Sequence, residues 1–263
     1  MTDVQVQHVR VSDVDFAYRR AGSGEPLVFL HGMGMTRRWL PIHAALAERF
    51  DVIAPEHPGF GDSVRPRRMR TLDDFVGAEG ELLTSLGVER FHLVGHSLGG
   101  MLAAMLAAAK PARVRSLSLI APIPLPGVTP EEFLPSAPAP DTDFDQLLFN
   151  GNKESYLDYL NANDDGVNVA VAGPGDDPVD HGIDYFDAPE LHTQLANISG
   201  PRQVIVPDED MVFDNRCFDI WAQALGATPT VHIAGATLPT GHLLIVQEPA
   251  AIATAVASLA AGA

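Results

Sequence analysis

The order of apolar and polar positions divides the chain into three stretches. Over residues 1–121, short apolar runs alternate with segments of helical period. Val4–Arg10 and Val14–Arg19 are alternating or β-branched around a turn at Ser12-Asp13, which predicts two paired strands. Pro26–Leu30, Val52–Ala54, Phe91–Val94 and Val114–Ile120 are compact apolar runs, the signature of strands buried on both faces. Between them, Arg37–Phe50 and the segment from Thr71 to Leu86 have helical spacing, and Ser97–Ala109 is an alanine-rich helix. Thr71 is placed to cap its helix, with Asp73 and Asp74 in the first turn, where negative charge meets the positive end of the helix dipole. Apolar strands separated by helices predict βαβ units, hence an α/β fold around a mostly parallel sheet. The first two strands are expected to form its antiparallel edge.

The pattern breaks at Ala121. Pro122, Pro124, Pro126, Pro130, Pro135, Pro138 and Pro140 rule out a long helix, and acidic residues follow. Short helices are expected at Phe144–Phe149 and Glu154–Leu160. Near residue 199 the alternation resumes: Gln203–Val206 as a strand, Asn215–Leu225 as a helix, Thr230–Ile233 as a strand and Pro249–Ala260 as a closing helix. The predicted organisation is a core domain of residues 1–121 and 199–263, interrupted by an insertion at 122–198.

Charge sharpens the picture of that insertion. The 263 residues carry a net charge of −17. Residues 131–220 hold 20 Asp and Glu against Lys153, Arg202 and Arg216, so the whole excess lies there. Such a face keeps a protein soluble, and it would also repel anionic substrates. Nucleic acid is a poor partner, because phosphate binding needs clustered Lys and Arg, and the only basic clusters are Arg37-Arg38 and Arg65, Arg67, Arg68 and Arg70. The longest apolar run, Met101 to Ala109, is far short of the roughly 20 residues a membrane helix takes. The single cysteine, Cys217, allows no internal disulfide, and the N-terminus lacks the pattern of a secretory leader. The expectation is a soluble cytoplasmic protein acting on a small molecule, with its oligomeric state open.

The candidate chemistry starts at Gly95-His96-Ser97-Leu98-Gly99-Gly100, between a predicted strand and a predicted helix. A serine on so tight a turn has a strained backbone and an exposed oxygen at the sheet edge, and glycines on either side relieve the crowding. The helix start behind Ser97 favours developing negative charge. The same glycines suggest a phosphate loop, but Met101 stands where its lysine should be. A serine nucleophile needs a base oriented by a carboxylate. Of ten histidines, His242 follows the last strand and precedes the closing helix, which sets it at the same sheet edge as Ser97. His96 belongs to the turn itself and should point away from the serine, while His8, His43 and His92 flank buried segments and His232 lies within a strand. For the carboxylate, Asp208, Glu209, Asp210 and Asp214 all follow the Gln203–Val206 strand.

These motifs resemble the α/β-hydrolase superfamily. Its landmarks appear in order: His31-Gly32-Met33-Gly34, His57-Pro58-Gly59-Phe60-Gly61-Asp62-Ser63, Gly95 to Gly100, and Gly241-His242. The resemblance implies a triad of Ser97, Asp210 and His242, with Asp210 chosen by the usual spacing. It implies an oxyanion hole from the backbone N–H groups of Met33 and Leu98, braced by His31. It also implies that 122–198 is a cap that sets substrate choice. Ser97 argues against the branches with an aspartate nucleophile. Leu243 after His242, and a cap without arginine, argue against the C–C hydrolases that bind carboxylated substrates. The esterase and lactonase branch acting on neutral acyl compounds remains the default. A C–C hydrolase, a cyclase or lyase, and a ligand-binding signalling protein are the alternatives.

Acyl transfer through a covalent serine intermediate requires neither cofactor nor metal. Asp141-Thr142-Asp143-Phe144-Asp145 resembles the start of a calcium loop, but Gln146 and Asn152 replace the glycine and glutamate it needs. Phe144, Leu147, Leu148, Phe149, Tyr156, Tyr159, Tyr185 and Phe186 are candidates to line a pocket, about a third of them touching substrate.

Overall fold

Eight strands form one sheet in the order β1-β2-β4-β3-β5-β6-β7-β8. They are β1 (Gln7–Val11), β2 (Val14–Gly22), β3 (Pro26–Leu30), β4 (Asp51–Pro55), β5 (Phe91–His96), β6 (Val114–Ile120), β7 (Arg202–Val206) and β8 (Thr230–His232). β2 runs antiparallel to both β1 and β4, and every pairing from β4 to β8 is parallel. The computed structural model describes residues 4–134, 139, 141–157, 187–226 and 230–263. Within these residues the α/β reading holds, including the antiparallel edge.

Among the described residues the α-helices are α1 (Pro41–Ala47), α2 (Leu72–Ser85), α3 (Leu98–Ala109), α4 (Phe144–Leu148), α5 (Leu191–Gln194), α6 (Arg216–Ala224), α7 (Leu244–Gln247) and α8 (Pro249–Ala260). Thr71 caps α2 as expected: its side chain accepts the Asp74 N–H while Asp74 Oδ2 accepts the Thr71 N–H. α1 is shorter than its pattern suggested. Pro41 opens the helix, and before it Arg37 has a positive φ of 59° and donates its N–H to Glu56 Oε1 just past β4, so residues 37–40 form a loop. β5 is longer, continuing through Gly95 to His96.

The connections explain where a site can form. From β3 the chain steps to β4 on one side, whereas from β5 it steps to β6 on the other. With right-handed crossovers, α1 lies on the opposite face from α2 and α3. α1 packs against α8, and α2 against α3. The strand order reverses between β3 and β5, and such a switch opens a crevice at the carboxyl ends of the strands. The His31 loop leaves β3 there, and Ser97 leaves β5.

The core places α3 tight against β5. A β-carbon on Gly99 would stand 2.1 Å from the Leu30 carbonyl oxygen, so only glycine lets the helix start so close to β3. Eleven residues of α3 are buried. After β6, Trp221 Nε1 donates to the Ile123 carbonyl at 2.8 Å, fastening the outgoing chain to α6. Residues 121–201 connect β6 to β7 within this one sheet. Part of that stretch lies outside the described residues, including Tyr159, Tyr185, Phe186 and the end of the helix expected at Glu154–Leu160.

Candidate active site

Ser97 sits between β5 and α3 with φ 53° and ψ −119°, a backbone that non-glycine residues rarely adopt. The surroundings hold it there. Its N–H donates to the Ile120 carbonyl at 3.0 Å, and its carbonyl accepts the Ile123 N–H at 3.2 Å. Gly32 packs directly on it, since a β-carbon at Gly32 would lie 2.9 Å from Ser97 Cβ. The loop after β3 therefore borders the serine, and Leu98 opens the helix behind it.

His242 comes from the loop between β8 and α7, and Asp210 from the loop after β7. His242 Nε2 lies 2.9 Å from Ser97 Oγ, and Nδ1 lies 2.6 Å from Asp210 Oδ2. Asp210 Oδ1 accepts the N–H groups of Val212 and Phe213 at 2.8 and 3.0 Å. A carboxylate in that position only accepts, so His242 carries its proton on Nδ1 and turns the Nε2 lone pair to the serine hydroxyl. Ser97, Asp210 and His242 are all buried. The Phe213 ring meets the imidazole edge-on at 5.4 Å.

The other candidate carboxylates have other partners. Asp208 Oδ2 accepts the N–H groups of Gly235 and Thr240 at 3.0 and 2.9 Å, which shapes the loop leading to His242. Asp214 pairs with Arg216 at the surface. Glu209 is exposed, and its N–H donates to the Thr240 carbonyl.

The loop beside the serine is braced by buried imidazoles. His31 Nδ1 donates to the Gly32 carbonyl at 2.6 Å, and its Nε2 accepts the His57 N–H at 3.0 Å. His57 Nε2 returns a hydrogen bond to the His31 carbonyl at 2.9 Å, and its Nδ1 faces Glu79 Oε1 at 2.9 Å. Burial alone raises Glu79 to about 8, and burial lowers His57 to about 4. His31 falls well below the usual imidazole range, chiefly through burial and then through His57 beside it. Met33 projects outward, 47% exposed. Glu79 and Glu56 were not legible as site residues; their partners are 22 and 37 positions away.

His96 reaches from the turn to the loop that carries His242. Its Nε2 donates to the His242 carbonyl at 2.8 Å. Burial first, then neighbouring His242, lowers its pKa to about 3, so it stays neutral. His43 and His92 are buried, whereas His8 and His232 are exposed. Among the described residues no three His, Cys, Asp or Glu are grouped to hold a metal, and no helix is long and apolar enough to cross a membrane.

Residues 25–163 match the family model described as the alpha/beta hydrolase fold. The chain belongs to the α/β-hydrolase fold family. Relatives of this family include a putative carbamate hydrolase, RutD, from Azorhizobium caulinodans, 38% identical over 109 residues that cover 41% of each chain. A pimeloyl-[acyl-carrier protein] methyl ester esterase from Aeromonas hydrophila is 34% identical over 142 residues, 54% of each chain. The matches to the curated relatives span about a third to a half of their length. Among solved structures, the esterase RhEst1 from Rhodococcus sp. ECU1013 superposes with a TM-score of 0.79 at 21% identity, covering 99% of both chains. That likeness is one of fold.

Proposed function

We propose that this α/β-hydrolase is a serine hydrolase that cleaves an ester or lactone bond of a small neutral molecule. The observation that carries the reading is the line from Ser97 Oγ through His242 to Asp210, at 2.9 and 2.6 Å. Ser97 attacks the substrate carbonyl while His242 Nε2 takes the hydroxyl proton. Asp210 holds the tautomer and stabilises the imidazolium. The oxyanion receives the backbone N–H groups of Met33 and Leu98; the latter, first in α3, has no partner within its own helix. His242 then returns its proton to the leaving oxygen, and the acyl-Ser97 ester is hydrolysed by water activated on the same imidazole. No cofactor enters this scheme.

Residues 122–198 act as the cap of this enzyme, against a core of 1–121 and 199–263. The acidic excess at 131–220 disfavours anionic substrates. The esterase and carbamate hydrolase names among the relatives support acyl chemistry at a heteroatom over C–C cleavage.

The test is labelling with a fluorophosphonate probe and mapping the modified residue, alongside turnover of short p-nitrophenyl esters and lactones. Modification at Ser97, with both labelling and turnover abolished in Ser97→Ala, is expected. Turnover that survives in Ser97→Ala overturns the reading.

A further inference from the structure

Between β6 and β7 the chain returns to the His242 loop and grips it. The carbonyl of Leu148, the last residue of α4, accepts the Leu243 N–H at 2.9 Å. Asn150 Nδ2 donates to the Thr240 carbonyl at 3.2 Å. Gly241 fills the space between these two contacts. A β-carbon there would stand 2.6 Å from the Asn150 backbone nitrogen and 2.9 Å from the Leu148 oxygen. The residues on both sides of His242 are therefore fastened to the turn that ends α4.

That turn is itself well fixed. Asn150 has φ 50°, a left-handed conformation that asparagine tolerates better than most residues. Gly151 follows with φ 72°, and its N–H closes the helix end on the Gln146 carbonyl at 2.7 Å. Asn152 Nδ2 donates to the Asn150 carbonyl at 2.7 Å. Phe149 is fully buried and stacks on Tyr156, with centroids 4.7 Å apart. His96 holds the His242 carbonyl as well. The backbone that carries His242 is thus pinned by the β5–α3 turn and by α4 together.

We propose that Asn150 is a positioning residue that couples the seating of the 144–152 segment to the alignment of His242 with Ser97. The proposal rests on the reading of His242 as the base. Any ligand contact that moves α4 moves the loop carrying that base, although α4 and His242 lie about 95 residues apart in sequence.

The test uses Asn150→Gly, which removes the amide but keeps the left-handed backbone, and Asn150→Asp, which replaces the donor with an acceptor. Active sites are counted by fluorophosphonate incorporation at Ser97, so that misfolded molecules do not enter the rate. For a p-nitrophenyl ester, kcat per labelled site should fall about 5- to 20-fold in Asn150→Gly, the scale of one lost hydrogen bond. It should fall further in Asn150→Asp. KM should stay within about twofold, and the rate of labelling should fall in step with kcat. Should these variants not fold, Gly241→Ala, which pushes the turn away from the loop, is expected to give the same split. A labelled wild type whose variants keep kcat per site and labelling rate overturns the positioning role alone, whatever happens to the melting temperature. A wild type that is not labelled at Ser97 overturns the parent reading and this one with it.

Discussion

Nδ1 of His57 and Oε1 of Glu79 lie 2.9 Å apart, and neither side chain is more than 1% exposed. His57 Nε2 already donates to the His31 carbonyl, so the Nδ1 lone pair faces the carboxyl. Only a protonated Glu79 satisfies it, and burial supplies that state by raising Glu79 to about 8 while holding His57 down at about 4. The pair is a neutral hydrogen-bonded clamp on the loop beside Ser97, at a position in α2 where an ionised carboxylate would be costly.

The clamp gives stability a distinctive pH dependence. In the unfolded chain Glu79 loses its proton near its ordinary value of 4.5, but in the folded protein it keeps it to about 8. Between these values the folded state binds the extra proton, so this group lowers stability as pH rises. Glu79→Gln keeps a donor toward His57 without an ionisation. Urea unfolding at pH 5 and pH 8 should show the variant gaining on the wild type by a few kcal/mol over that interval. A gap that does not change with pH would mean that Glu79 is already ionised at pH 5.

Four buried histidines act in the opposite direction at acid pH. Burial lowers His43 and His96 to about 3 and His57 to about 4, and it places His31 well below its ordinary value. Unfolded, each takes up a proton near 6.5. Their stabilisation is therefore complete above pH 6.5 and is lost as pH falls toward 4 and 3. Each contributes a slope of up to about 1.4 kcal/mol per pH unit within its window. Stability measured from pH 6.5 down to 4.5 should fall steeply, and His43→Leu should reduce the slope by the share of one proton.

The parts of this protein that can be read from sequence are those set by short-range chemistry. The Ser97 turn, the Thr71 cap and the buried strands follow from glycine spacing, a capping side chain and unbroken apolar runs. His242 follows from its place between the last strand and the closing helix. What could not be read depends on contacts across the fold. α1 begins at Pro41, where proline opens the helix, and the loop before it is fixed by a contact the pattern does not show: Glu56, just past the neighbouring strand β4, holds the Arg37 N–H. Glu79 sits in α2 among residues whose period leaves room for a polar face, and nothing nearby marks it as buried against His57. Asn150 directly follows the Phe144–Phe149 pattern with nothing nearby to mark it, and its partner Thr240 is 90 residues away.

Asp210 and Asp208, two residues apart, should separate cleanly by mutation. Asp210 contacts the imidazole, whereas the Asp208 carboxylate accepts from the backbone of Gly235 and from the backbone and hydroxyl of Thr240, with His232 at 3.9 Å. Asp210→Asn leaves the packing intact but favours the wrong tautomer of His242, so kcat should drop by about 10,000-fold, as for a triad aspartate. Asp208→Asn should lower the melting temperature and change kcat much less. Equal losses in kcat would remove the distinction between orienting the base and shaping its loop.

Glu56 offers the sharpest test of how the loops around Ser97 are held. One oxygen accepts Arg19 Nη1 and the Arg37 N–H, both at 2.7 Å, and the other accepts the Asp62 N–H at 2.6 Å. The Glu56 and Arg19 side chains are only 4% and 10% exposed. Glu56→Ala leaves a buried guanidinium without its carboxylate and two backbone donors without acceptors. The expected loss is about 3–5 kcal/mol in urea unfolding. Arg10→Ala breaks the exposed pair with Asp15 and should barely move the midpoint, because solvent screens that contact. The loss in Glu56→Ala should also reach function. Arg37 lies four residues after Met33, so losing the hold on its N–H, while its side chain stays on Asp62 and the Gly61 carbonyl, loosens the loop expected to bind the oxyanion. kcat should then fall in the molecules that remain folded, with KM little changed. A folded Glu56→Ala protein with wild-type kcat would show that Gly32 and the His31–His57 clamp hold that loop without Glu56.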